Sequence, residues 1–145
     1  LENAFSAEAG QKRIKLHFLS ESDELFIQAD RNYFNQVIEN LVSNAIKFSG
    51  TDTNIYIVLS DSNEHVRVTV QDEGPGIPAE ELPKLFRKYQ KLSTSPTAGE
   101  QSIGLGLSIV KKYVEVMKGR VWCESQVGVG TKFIVEFKKE AISVA

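Results

Sequence analysis

The sequence predicts an α+β two-layer sandwich, a mixed sheet with helices on one face. Three observations predict it. Phe34, Val37, Ile38, Leu41, Ala45 and Phe48 recur at helical spacing and form one apolar stripe. Val66, Val68 and Val70 alternate with polar residues, the period of a strand with one buried face. Leu107, Val110, Val114 and Met117 mark a second buried helix face, with two strand-like runs after it. The 145 residues fit one domain, can bury a core and contain no internal repeat.

Leu1 to Arg13 reads as a short helix or linker that breaks near Gly10. Ile14, Leu16 and Phe18 then alternate with Lys15 and His17, a strand with a wet face on which His17 is solvated. Leu25 to Ala29 reads as a second short strand, and Asp30 is a good N-cap for the helix that follows. On that helix Asn40, Asn44 and Lys47, spaced i, i+4, i+7, form a polar stripe roughly 100° round from the apolar one. Asn32, Asn35, Glu39 and Ser43 fall on the solvent side. Asn54 to Ser60 and His65 to Asp72 read as a hairpin turning at Asp61-Ser62-Asn63, with His65 exposed. Asp72 continues the face of Val66, Val68 and Val70 as a carboxylate, a costly placement unless hydrogen-bonded.

Pro78 can start a short helix, with Glu80 and Glu81 in its first turn. Lys91 to Ser102 is rich in Ser, Thr, Gly and Pro and reads as a long loop, either a lid or functionless disorder. Gly119 is a natural C-cap for the second apolar helix. Val121 to Glu124 and Lys132 to Phe137 read as closing strands joined through Gly128-Val129-Gly130.

Composition excludes several classes. A net charge of −2 gives no reason to propose nucleic acid as a partner. No apolar run approaches the ~20 residues of a membrane span, and a signal-peptide pattern is missing. Cys123 is the only cysteine, which precludes an internal disulfide, fits a reducing cytoplasm and suggests packing rather than reactivity. His17 and His65 have no second ligand at short spacing, so zinc is not expected. The chain starts without Met and is expected to be a piece of a longer protein.

The polar exceptions carry the chemistry. Magnesium prefers oxygen ligands and keeps phosphate oxygens and waters, so one amide oxygen from Asn44 could complete its shell. Lys47 could meet a phosphate as a point charge. A core-edge amide and a snorkelling lysine remain the bland alternatives. Asp72 can accept a hydrogen bond from the exocyclic amine of adenine, where guanine presents an oxygen. Gly74 and Gly76 would let backbone approach a flat base, or merely form a turn. Gly104 and Gly106 sit where a helix should begin, and a helix N-terminus favours phosphate.

In this order the motifs resemble the ATP-binding catalytic domain of sensor histidine kinases. The wider superfamily includes gyrase, a heat-shock chaperone and a mismatch-repair ATPase. Asn40 to Lys47 resembles its N box, and Asp72 to Gly76 its G1 box. Phe86-Arg87-Lys88-Tyr89 resembles the F box, Gly104 to Leu107 the G2 box, and Gly130-Thr131 the closing Gly-Thr element. Gln101-Ser102-Ile103 replaces glycines common before the G2 pair, and Tyr89 stands where Phe is commoner.

The resemblance implies about five strands against three helices, with residues 14–140 as the ATP-binding domain. Residues 1–13 would then lead in from a preceding domain, and 141–145 would be a tail. It implies ATP between the first long helix and a lid from about Phe86 to Ile103. Asn44 would hold Mg²⁺, Lys47 and Asn40 would lie by the phosphates, and these three form the catalytic set. Asp72 would hold adenine, partly with Thr131 through water, and Lys91 would reach a phosphate from the lid. Gly74, Gly76, Ile77, Tyr89, Gly104, Leu105, Gly106 and Leu107 complete the ATP-binding set. The partners implied are an upstream dimerisation domain carrying the phospho-acceptor histidine and, indirectly, a response-regulator receiver domain. Neither nucleic acid nor membrane contact is implied for this domain, which would lie in the cytoplasm.

The superfamily's ATPases place Glu four residues before the metal-binding Asn, and this chain has Asn40 there. An amide cannot take a proton from water, so slow hydrolysis is expected. A neutral imidazole is already nucleophilic near pH 7 and needs mainly alignment of the γ-phosphate. Neither His17 nor His65 stands in a helix before Glu or Asp, so the acceptor histidine is expected elsewhere. Two alternatives remain: a hydrolysing ATPase or serine kinase of the superfamily, and a nucleotide-sensing or scaffold module without transfer activity.

Overall fold

The computed structural model describes residues 6–20, 31–62, 64–87 and 106–138. Among these, five strands form one mixed sheet in the order β1-β2-β3-β5-β4. They are β1 (Lys15–Ser20), β2 (Asn54–Ser62), β3 (His65–Asp72), β4 (Arg120–Gln126) and β5 (Gly130–Lys138). β1 runs parallel to β2, and the other pairs are antiparallel. Helices α1 (Ser6–Gln11), α2 (Arg31–Phe48) and α3 (Gly106–Val116) join a 3₁₀ helix at Ala79–Lys84. The expected Leu25–Ala29 strand and the Asp30 cap lie outside the described residues.

The alternation in β3 is strict: Val66, Val68, Val70 and Asp72 are buried, and the residues between them are half-buried. Their partners on the same face are Ile55, Ile57 and Leu59 of β2 and Phe133, Val135 and Phe137 of β5. α2 and α3 pack on this face. A Tyr33–Tyr113 stack joins the two helices, and Phe34 meets Phe137 at 5.8 Å. α2 buries more than the expected stripe, because Val42 and Ile46 are also in the core. The N-terminal segment explains the extra coverage. Ala9 and Ile14 join the same core, and the buried Lys12 donates to the carbonyls of Ile46 (2.8 Å), Lys47 (3.2 Å) and Ser49 (3.4 Å).

α1 ends at Gln11, near Gly10 as expected, and the left-handed residue after it is Arg13 (φ 54°). α3 ends with Lys118 in the left-handed region (φ 60°), while Gly119 donates to Val114 O at 2.9 Å. Lys118 to Glu115 and Gly119 to Val114 together make a Schellman motif. Gly119 is needed for another reason: a Cβ there would lie 2.7 Å from the Glu136 carbonyl oxygen of β5. The helix after Pro78 is 3₁₀ rather than α and contains Pro83. Both closing strands, and β2, extend beyond the expected runs.

The outer sheet face is polar but not bare. Arg67 and Arg120 lie over Trp122 at 5.3 and 5.6 Å, and both bind Glu136. Their stems cover Glu136, which is only 2% exposed. Burial alone would raise its carboxyl; the two guanidinium groups outweigh it and hold the pKa below the usual value. His17 is not simply solvated: it is half-buried, stacks on Tyr56 at 4.7 Å and bonds Asn54 Oδ1 at 2.9 Å. His65 is also half-buried.

Candidate nucleotide-binding site

Where α2 ends above β3 and β5, the apolar face of the sheet turns polar. One row across three strands carries Ser125 of β4, Thr131 of β5 and Asp72 of β3. Above it lies a cleft lined by Asn44, Ala45 and Phe48 of α2, Asp72, Pro75, Gly76 and Ile77, and Thr131 and Phe133. Its volume is about 20 Å³, room for a water. A base would enter only by parting these walls.

Asp72 is 7% exposed, with Gly74 N donating to its Oδ1 at 2.9 Å. Burial pushes its pKa up to about 6, although backbone donors at Gly74 and Thr131 pull it back. The carboxylate is therefore ionised at neutral pH but poorly solvated, and it still accepts hydrogen bonds. Asn44 is half-buried in the same cleft and offers a neutral oxygen. Among the described residues no group of three or more His, Cys, Asp or Glu side chains could hold a metal. This donor set fits a hard cation that arrives already bound to phosphate oxygens.

Five expected site residues thus share the cleft: Asn44, Asp72, Gly76, Ile77 and Thr131. Asn40 faces the start of α3, its Oδ1 lying 3.6 Å from where a Cβ on Gly106 would be. Gly106 is the first residue of α3, as expected, and Leu107 packs against the core. Lys47 is half-buried in the last turn of α2 and is not in the cleft lining. Tyr89, Lys91, Gly104 and Leu105, and most of the expected lid, lie outside the described residues. Glu39 is exposed, as the helical count requires, and Ser43 is half-buried rather than exposed.

Gly74 and Gly76 are also closely packed by the protein's own backbone. A Cβ on Gly74 would lie 2.9 Å from Phe48 O, and one on Gly76 (φ +81°) 2.3 Å from Gln126 O. They let the segment after β3 pack between the end of α2 and the β4–β5 turn, where Gly128 N also bonds Pro75 O at 2.8 Å.

Phe48, Pro75 and Phe133 were not singled out for the site. Two signals could have found them: Phe48 lies one turn beyond Asn44, and Phe133 shares a strand face with Thr131. Ser125 was also missed, because its place depends on a β4–β5 register that local sequence does not specify. Burial pushes the Cys123 thiol up to about 12, so it is packed and inert.

The chain is thus an open α+β sandwich with a buried acid and an amide in one apolar cleft. Residues 29–141 match the family described as histidine kinase-, DNA gyrase B-, and HSP90-like ATPase. The sensor histidine kinase YvrG of Bacillus subtilis (strain 168) is 30% identical over 125 residues, covering 86% of this chain and 21% of YvrG. The nucleotide-free catalytic domain of histidine kinase ThkA superposes with a TM-score of 0.81 at 35% identity, covering 94% of this chain and 86% of that one. ThkA in complex with the response regulator protein TrrA matches at 0.78 and 32%, covering 95% and 38%. Full-length ShkA in complex with AMPPNP matches at 0.81 and 27%, covering 96% and 29%. The chain belongs to the histidine kinase-, gyrase B- and HSP90-like ATPase family, as an ATP-binding catalytic domain of the sensor-kinase type. It spans about a fifth of the length of YvrG.

Proposed function

We propose that this chain positions Mg-ATP for phosphoryl transfer to a histidine on a separate dimerisation domain of a two-component sensor kinase. The observation that carries the reading is the buried Asp72 sharing an apolar cleft with the Asn44 amide. Asp72 accepts from the adenine amine, and the flat walls from Phe48 and Pro75 to Ile77 cover the base. Thr131 assists Asp72, directly or through water. Asn44 contributes an oxygen to Mg²⁺, which neutralises phosphate charge when bound. Lys47, Asn40 and the start of α3 at Gly106 lie by the phosphates, with Lys91 reaching in from the lid. Tyr89, Gly104, Leu105 and Leu107 belong to the same binding set.

The chemistry asks little of the protein beyond alignment. The lone pair of an acceptor imidazole nitrogen attacks the γ-phosphorus, and the bond to the ADP oxygen breaks. No base is needed, which suits an amide at Asn40 and an exposed Glu39. The response-regulator receiver domain would take the phosphoryl group afterwards; ThkA, a similar kinase, forms a complex with the response regulator protein TrrA. In this reading residues 14–140 form the domain, 1–13 connect it to the dimerisation domain, and 141–145 trail from it. A cytoplasmic location goes with the reading. No described helix is long and apolar enough to cross a membrane.

The test is label transfer from γ-labelled Mg-ATP. The chain is expected to label an added helical acceptor domain of a sensor kinase and to leave its own His17 and His65 unlabelled. ATP hydrolysis should be slow and unchanged by Glu39→Gln. Fast turnover lost in Glu39→Gln would instead favour the hydrolysing members of the family.

A further inference from the structure

The Ser125 hydroxyl joins three segments around the cleft. It accepts from Ile77 N at 2.8 Å, donates to Gly130 O at 3.0 Å and lies 2.8 Å from Thr131 Oγ1. A hydroxyl has one hydrogen and two lone pairs. A carbonyl oxygen can only accept, so the Ser125 hydrogen goes to Gly130. The contact with Thr131 is then satisfied in one way alone: Thr131 donates and Ser125 accepts. All three contacts, and both Ser125 lone pairs, are used in that arrangement.

Thr131 is left with lone pairs only, and it lines the cleft together with Asp72. Asp72 is an acceptor by charge. Thr131 becomes one by having its hydrogen taken. We propose that Ser125 is a positioning residue that fixes the hydrogen-bond polarity of the cleft, so that Asp72 and Thr131 both meet the base as acceptors. The inference rests on the adenine reading of Asp72 and explains how one acid's preference is protected. Adenine offers an amine to such an end. Guanine offers an oxygen to the same two acceptors, and the mismatch is repulsive. Without Ser125 the Thr131 hydroxyl could turn and donate into the cleft. It would then oppose the adenine amine donor to donor, or welcome the guanine oxygen.

The readout is the ratio of Mg-ATP to Mg-GTP affinity, measured by calorimetry on the whole chain. A structural defect alone would weaken both nucleotides together, whereas a change of polarity alters their ratio. Ser125→Ala should lower the preference for ATP roughly three- to tenfold, the worth of about one net hydrogen bond. Ser125→Thr, which keeps the hydroxyl, should retain the wild-type ratio. In a Thr131→Val background Ser125→Ala should have no further effect on the ratio, since no hydroxyl remains to reorient. Should Ser125→Ala fail to fold, Ser125→Cys keeps the shape with a weak donor and acceptor and should shift the ratio in the same direction.

An unchanged ratio in the folded Ser125 variant, with wild type still preferring ATP, overturns the role of Ser125 and leaves Asp72 untouched. The same shift persisting in the Thr131→Val background overturns it as well. Equal affinity of the wild-type chain for both nucleotides removes the adenine reading itself and this inference with it.

Discussion

At the scale of single residues, Asp72 sets function against stability. Its carboxyl titrates at about 6 in the folded chain against an ordinary value of 3.8, chiefly through burial. The folded protein therefore holds this proton more tightly than the unfolded chain does. Its contribution is fully favourable below about pH 4, declines as pH rises toward 6 and is flat above that. The neutral-pH penalty is of order 2–3 kcal/mol. Asp72→Asn keeps an oxygen for Gly74 N and removes the charge. It is expected to raise Tm at pH 7.5, with the gain vanishing near pH 4, and to erase the preference for ATP over GTP. Thermal unfolding from pH 4 to 8 checks the first claim, and a pH-independent gain would contradict it. Gly76 shows why a local pattern was legible while its cause was not. The sequence announces a tight turn, but the Gln126 carbonyl that forbids a side chain there comes from a distant strand end.

At the scale of elements, α2 is held from its C-terminal end. A helix leaves its last carbonyls without intrahelical donors, and their partial negative charge favours a cation. Lys12 supplies one to Ile46, Lys47 and Ser49. Beside it Arg13 makes two bonds to Asp52, at 2.8 and 2.9 Å, and Asp52 N bonds Lys12 O at 3.0 Å. The segment expected to act as a linker is thus bound to the helix that carries Asn44. Lys12→Met should keep the packing of the stem and lose the capping bonds. It is expected to lower stability by about 1–2 kcal/mol. Amide exchange should quicken most in the last turn of α2. Uniform quickening across the sheet would show that Lys12 acts as general packing rather than as a cap.

At the scale of the whole molecule, the two apolar helix faces, the alternation in β3 and the order of the motifs were enough to read the sandwich. Such signals are local, and each repeats over several residues. The strand order β1-β2-β3-β5-β4 was not legible, because pairing between distant strands is decided by the assembled core. The site divided along the same line. Asp72 stood out as a charge on an apolar face, and Asn44 as an amide beside an apolar stripe. Ser125 meets Ile77 across 48 residues and Lys12 meets the end of α2 across 34 to 37, separations over which local sequence announces no partner. Glu136, a carboxylate on the polar sheet face, is buried beside Arg67 and Arg120, a pairing that spans three strands and that local sequence does not specify.

The most direct measurement is a crystal structure of the chain with Mg-AMPPNP. The expected result is the adenine amine against the Asp72 carboxylate, with the walls from Phe48 and Pro75 to Ile77 parted around the base. The Asn44 oxygen should lie on the cation. The nucleotide bound elsewhere, with the cleft still at the size of a single water, would contradict the account.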